Sequence, residues 1–142
     1  MKESLHVERH PASRRSGILA DEGASVWLYL TEPDGQQIAA DCWIFNTISA
    51  PDNLEAFGES NGPPPATSRF VIAGGQAPFP APDEVRFKWA EDGESVAVHV
   101  RGMLAGFIAR GDRRGYSRYL ALPGPFGNPI DESLHAALFA GA

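Results

Sequence analysis

The stretch Ala24–Phe45, ASVWLYLTEPDGQQIAADCWIF, decides the fold. Val26, Leu28 and Leu30 alternate with Trp27 and Tyr29, a two-residue period. Both sets are apolar and rich in β-branched and aromatic side chains, so the segment reads as a strand covered on both faces. Glu32-Pro33-Asp34-Gly35 then reverses the chain. Proline presets φ at the first turn position, and Gly35 accepts the left-handed conformation that a bulged hairpin needs. In the return strand, Gln37–Phe45, Ile38, Ala40, Cys42 and Ile44 fall on one face and Asp41, Trp43 and Phe45 on the other. Asp41 is out of place on an apolar face, because an unpaired buried carboxylate is costly. It calls for a wet end of the sheet or for an arginine, with Arg86 and Arg118 as candidates.

Downstream of this hairpin, residues 47–67 read as a long connection. Ala50-Pro51-Asp52 can cap one helical turn through Leu54 and Phe57, and Asn61-Gly62-Pro63-Pro64-Pro65 favours polyproline II. A short strand is expected over 68–73 and an irregular stretch over 74–82. Glu84–Trp89 alternates cleanly, with Val85, Phe87 and Trp89 inward. Val96, Val98 and Val100 form the inward face of the next strand. Further strands are expected over 104–109 and 116–122, in the spacing of an antiparallel meander. At the end the period changes. Asn128 suits an N-cap, Pro129 the first helical position, and Ile130, Leu134 and Leu138 make one apolar stripe. An amphipathic helix over 129–140 is therefore expected.

Upstream, residues 1–15 read as a flexible N-terminal arm with a short strand at Leu5–Glu8, and residues 16–142 as one domain. The fold class expected is α+β: a mainly antiparallel curved β-sheet of about six or seven strands with the C-terminal helix packed on it. Several strands are apolar on both faces, so the sheet must curve strongly or split into two layers.

The chain of 142 residues carries twelve Lys and Arg against eighteen Asp and Glu, a net charge of −6. That opposes nucleic-acid binding, which needs cations to displace counterions. A single cysteine excludes an internal disulfide. No apolar run reaches the ~20 residues of a membrane span, and no signal-peptide pattern opens the chain. A cytoplasmic location and a bacterial gene, the latter from ten arginines against two lysines, are the expectations. Charge is uneven. No Lys or Arg stands between Arg15 and Arg69, an interval holding Asp21, Glu22, Glu32, Asp34, Asp41, Asp52, Glu55 and Glu59, whereas 101–118 holds five arginines. The halves either neutralise one another or leave an acidic face that steers a basic partner.

No catalytic grouping emerges from the residues. Gly74-Gly75-Gln76 matches the tripeptide that peptidyl-release factors use on an ester. It lacks their basic surroundings, and its glycines are better read as turn residues. His6 and His10 stand four apart but precede Pro11, with no third ligand fixed by spacing. Cys42 lies mid-strand with no glycine elbow or helix N-terminus to activate it. The acidic pairs fall at turns. No metal and no cofactor is expected.

The pointed feature is Gly111–Tyr119, where Arg113, Arg114, Tyr116 and Arg118 cluster. Arginine forks bind carboxylate or phosphate and stack on aromatic rings. With Asp41 and Trp43 these four residues make up the candidate binding set. The function expected is a non-enzymatic protein-binding module, of immunity or adaptor type, with a basic protein partner. The alternatives are a small-molecule binder or enzyme holding an anionic group through the Arg/Tyr patch, and a homo-oligomer assembled through the Trp27/Tyr29/Trp43/Phe45 face.

Overall fold

The computed structural model describes residues 4–53 and 63–140. The helical turn expected through Leu54 and Phe57, and the acids Glu55 and Glu59, lie outside them. Among the described residues nine strands form two sheets, the split into layers, in place of the single curved sheet of about six or seven strands. The first sheet runs in the order β1 (Leu5–Arg9), β2 (Ser16–Asp21), β3 (Ser25–Thr31), β4 (Ile38–Asn46), all antiparallel. The second runs β5 (Val85–Trp89), β6 (Val96–Val100), β7 (Met103–Ile108), β8 (Tyr116–Ser117), β9 (Asn128–Pro129). The short strand expected at Leu5–Glu8 is β1.

The split follows from what the two faces of β3 and β4 meet. Leu28, Leu30, Ala40 and Cys42 pack with Leu19 against Val96, Val98 and Val100 of the second sheet, in one continuous core. The opposite face carries Trp27 and Trp43, paired across the strands, and it is roofed by the chain's own proline segment. The Trp43 indole N–H donates to Asn46 Oδ1 at 2.8 Å. Asn46 Oδ1 also accepts from the Ala66 N–H at 3.0 Å, and Asn46 Nδ2 donates to the Ala66 carbonyl at 2.9 Å. Trp27 Nε1 donates to Ser25 Oγ at 2.9 Å, and that hydroxyl donates to the Pro64 carbonyl. Two bulges in the β3–β4 pairing, beside Val26/Trp27 and Leu30/Thr31, shift the alternation. The second leaves Ile38 exposed instead of inward.

The two long sides of this sandwich differ. On one, the β4 edge is sealed. The Asp41 N–H donates to Arg113 O and the Gly115 N–H to Asp41 O, the Trp43 N–H donates to Phe126 O, and Asn46 exchanges bonds with Gly75 and Ala77. Gly115 makes this closure possible, because a Cβ there would stand 2.6 Å from Phe107 O and 2.8 Å from Cys42 Cβ. On the other side, β1 and β5 are both edges with no further strand paired to them among the described residues.

The helix α1 (Glu132–Phe139) covers the outer face of the second sheet as a third layer. It starts three residues later than expected. Asn128-Pro129 is used instead as β9, pairing parallel with β8, and proline, having no N–H, ends the ladder there. Asp131 is the N-cap, its carboxylate accepting from the Leu134 N–H at 2.9 Å. The expected stripe of Ile130, Leu134 and Leu138 packs with Phe139 against Ala97 and Phe107. The strand expected over 116–122 is cut to Tyr116–Ser117, and that over 68–73 to a single bridge, Val71 with Leu120.

His99 and His135 sit in this helix–sheet layer, ring centroids 6.5 Å apart. His135 Nε2 is buried without a hydrogen-bond partner. Burial holds both imidazoles below the ordinary histidine value; His135 and the Lys88 and Arg118 charges add to this at His99, and Lys88 and Arg118 at His135, where Glu132 opposes. The unfolded chain therefore binds protons first as pH falls through about 6.5. Stability is fully present above that value and declines below it, until the depressed folded-state values are passed. Thermal melts at pH 5 should give a lower midpoint than at pH 7, and His135→Leu should flatten that slope. An unchanged slope would show that His135 does not couple to folding.

Candidate functional site

Of the six residues expected to bind, Asp41 and Arg114 meet in an ion pair, and the six do not converge on one site. Arg114 Nη1 donates to Asp41 Oδ1 at 2.7 Å, so the partner that Asp41 requires is Arg114, not Arg86 or Arg118. Arg118 instead donates through Nε to the Leu104 carbonyl and approaches Glu132 at 4.0 Å, tying β7 to α1. Tyr116 stacks on Phe107, centroids 4.8 Å apart, and packs beside the helix. Trp43 is wholly buried. Arg113 lines a cavity at one end of the sandwich. The aromatic face offered for self-assembly is closed at both tryptophans by the chain's own Pro64–Ala66 contacts.

The other candidate groups have structural work. Gly75 donates its N–H to Ile72 O and accepts from the Asn46 N–H. A Cβ on it would lie 2.3 Å from Val71 Cγ1, so the Gly-Gly-Gln tripeptide serves as an edge clip for β4. Cys42 is fully buried, and desolvation, followed by the Asp41 charge, raises its pKa far above the ordinary thiol value. That favours the unreactive thiol. Tyr29 donates to Glu22 Oε2 at 2.7 Å, and burial with that carboxylate raises its pKa steeply. His10 Nδ1 accepts from the Ala12 and Ser13 N–H groups. Among the described residues, no three His, Cys, Asp or Glu side chains gather in a metal-binding group, and no helix is long and apolar enough to cross a membrane. Of the acidic interval, Asp41 pairs with the basic segment, while Asp34 and Asp52 accept hydrogen bonds within turns and loops.

What the sequence did not single out is the open side between β1 and β5. In an antiparallel pair, hydrogen-bonded residues alternate with residues whose N–H and C=O point away. The bonds Asp21 N–H to Ser4 O and His10 N–H to Arg15 O fix the even residues of β1 as those facing β2. The backbone groups of Leu5, Val7 and Arg9 therefore face outward. By the same reasoning, from Arg101 N–H to Glu84 O and Ala90 N–H to Ser95 O, those of Phe87 and Trp89 face outward on β5. Side chains rather than a ladder join the two edges. His6 stacks flat on Phe79 at 4.9 Å and donates from Nε2 to the Pro80 carbonyl at 2.8 Å. Glu8 accepts from Trp89 Nε1 at 2.9 Å. Between the edges lies a groove of about 340 Å³, in which Leu5, Val7, Pro82, Val85 and Phe87 stand beside the polar His6 and Glu8. Leu5 and Val7 are 47% and 52% exposed. Val7 begins a row that continues across the sheet through Ile18 and Tyr29 to Asp41, of which Ile18 and Tyr29 are half-buried.

No protein-family model matches this chain, and no curated protein and no solved structure matches it significantly.

Proposed function

We propose that the protein is a non-enzymatic protein-binding module that takes up an extended apolar segment of a basic partner along its open side. The observation that supports this reading is the pair of strand edges, Leu5–Arg9 and Val85–Trp89, unpaired among the described residues and flanking one groove in which Leu5, Val7, Val85 and Phe87 stand beside the polar His6 and Glu8. Free main-chain donors and acceptors supply affinity to an added strand. The alternating pockets beside them supply selectivity. Exposed edges are ordinarily blunted; here Leu5 and Val7 stand at the rim with their side chains open. The net charge of −6 speeds encounter with a basic partner.

The test is selection of random peptides from a display library on the whole protein, followed by amide-shift mapping. Enriched peptides should be extended and apolar, and should move the amides of Leu5, Val7, Arg9, Phe87 and Trp89. Leu5→Lys with Val7→Lys should leave the melting midpoint almost unchanged, since surface substitutions cost within about 0.5 kcal/mol, and should weaken the peptides by about tenfold or more. Failure to enrich any peptide, or shifts mapping elsewhere, would overturn the reading. So would a concentration-dependent dimer abolished by the same two lysines, which would give the edge to a second copy of the chain.

A further inference from the structure

A second cavity, of about 430 Å³, opens at the end of the sandwich where the β3–β4 turn meets the loop between β7 and β8. It shares no lining residue with the groove between β1 and β5. Three guanidinium groups, Arg15, Arg110 and Arg113, and three carboxylates, Glu32, Glu94 and Asp112, line it. Their pairings separate them into a fixed set and a free set.

Arg15 is fixed. Its Nε donates to Glu94 Oε2 at 2.7 Å, and its Nη1 donates to the Thr31 carbonyl at 3.0 Å. Asp112 lies close enough to Tyr116 for its charge to add to burial in raising the pKa of that phenol. Arg113 is different: among the described residues its side chain has no hydrogen bond and no ion pair, although its carbonyl is held by the Asp41 N–H at 3.0 Å. Arg110 resembles it. Its N–H is anchored on Ser95 Oγ at 2.8 Å, while its guanidinium is 70% exposed and reaches Asp92 only at 3.4 Å. Two cations thus stand on anchored backbone with their forks unsatisfied or nearly so. Across from them Glu32, 45% exposed, approaches Arg15 only at 3.9 Å.

We propose that this cavity binds a small organic anion, its carboxylate or phosphate held by the forks of Arg113 and Arg110, with Glu32 accepting a hydrogen bond from a donor elsewhere on the molecule. Guanidinium forks match the two-oxygen edge of both anions. The volume lies within the usual range for small-molecule sites. Arg15, held by Glu94 and the Thr31 carbonyl, forms one wall.

The probes are inorganic phosphate, citrate and glutamate, titrated into the whole protein at constant ionic strength against chloride and followed by the arginine Nε–H resonances and the amides of residues 110–113. Glutamate carries the ammonium that would use Glu32. Saturable shifts confined to the cavity are expected for at least one probe. Phosphate without the others assigns a phosphate ligand, and citrate or glutamate without phosphate a carboxylate ligand. Losing one fork should weaken binding by about tenfold in Arg113→Ala, with an unchanged melting midpoint, because that side chain bonds nothing in the fold. Arg86→Ala, on the exposed side of β5, should bind as the parent does. Linear shifts for all three probes, or equal weakening by both arginine variants, would overturn the proposal. Because peptide capture along β1 and β5 uses none of these residues, its failure leaves this result intact, and the converse holds.

Discussion

Asn46→Ala should destabilise the protein by about 3 kcal/mol or more, because it strands three buried groups at once, each costing about 1–3 kcal/mol when unsatisfied. Asn46 is wholly buried. Its amide oxygen accepts from the Trp43 indole and from the Ala66 N–H, and its amide nitrogen donates to the Ala66 carbonyl. Domain stabilities run to about 5–15 kcal/mol in total, so this is a large fraction, and the melting midpoint should fall by about 10 °C. The same substitution frees the roof over the tryptophans, so native-state fluorescence should shift to the red. Asn46→Asp is the informative companion: its oxygens can accept from both N–H groups but nothing donates to the Ala66 carbonyl, and a charge is buried. A loss below about 1 kcal/mol for alanine, with no spectral change, would mean that the roof is held by contacts other than these.

Gly115→Val should be comparably damaging, through space rather than hydrogen bonding. The new Cβ would meet a carbonyl at 2.6 Å and two core atoms at 2.8 Å, Cys42 Cβ and Ile108 Cγ1. One of these is backbone and another is a Cβ, so neither can rotate away. Forced overpacking costs about 1–3 kcal/mol and occasionally more, and three such contacts at one atom put Gly115→Val at the upper end. The shift must fall on the junction itself, where the Gly115 N–H bonds Asp41 and its carbonyl accepts from Asn128. Two readouts follow: a lower urea midpoint, and exposure of the Cys42 thiol, fully buried in the parent, to a thiol reagent in native buffer. Gly115→Ala should show both in milder form. An unreactive thiol together with an unmoved midpoint would contradict the close approach described for this junction.

The hairpin of β3 and β4 was legible because its alternation, its Pro-Asp-Gly turn and its aromatic content are all local signals. The β5–β7 meander and the stripe of α1 were legible for the same reason. The division into two sheets was legible only as one of two alternatives, since an apolar second face on β3 says that something covers it and not what. Here one face meets the second sheet and the other meets residues 64–66. The helix start was misplaced because Asn128-Pro129 is equally good as cap and as strand end, and only the pairing of Asn128 with Gly115 decides. Among the candidate binding residues, the Arg/Tyr cluster was visible as composition. Its dispersal was not, because strand and loop geometry sends Arg113, Arg114, Tyr116 and Arg118 in separate directions over a few residues. The open β1–β5 side left no local signature at all. Whether a strand has one neighbour or two depends on where the rest of the chain goes.

The sealed edge of β4 has a consequence for biosynthesis. Arg113, Gly115 and Phe126, which cap that edge, lie far downstream of β4 and leave the ribosome well after it. Until they emerge, the nascent first sheet is bare along both margins, with Trp43 and Cys42 behind one of them. Translation of the stretch between β4 and Phe126 is then the interval in which the growing polypeptide depends on a holding chaperone, and stalling just before Gly115 should yield aggregates that synthesis past Phe126 prevents.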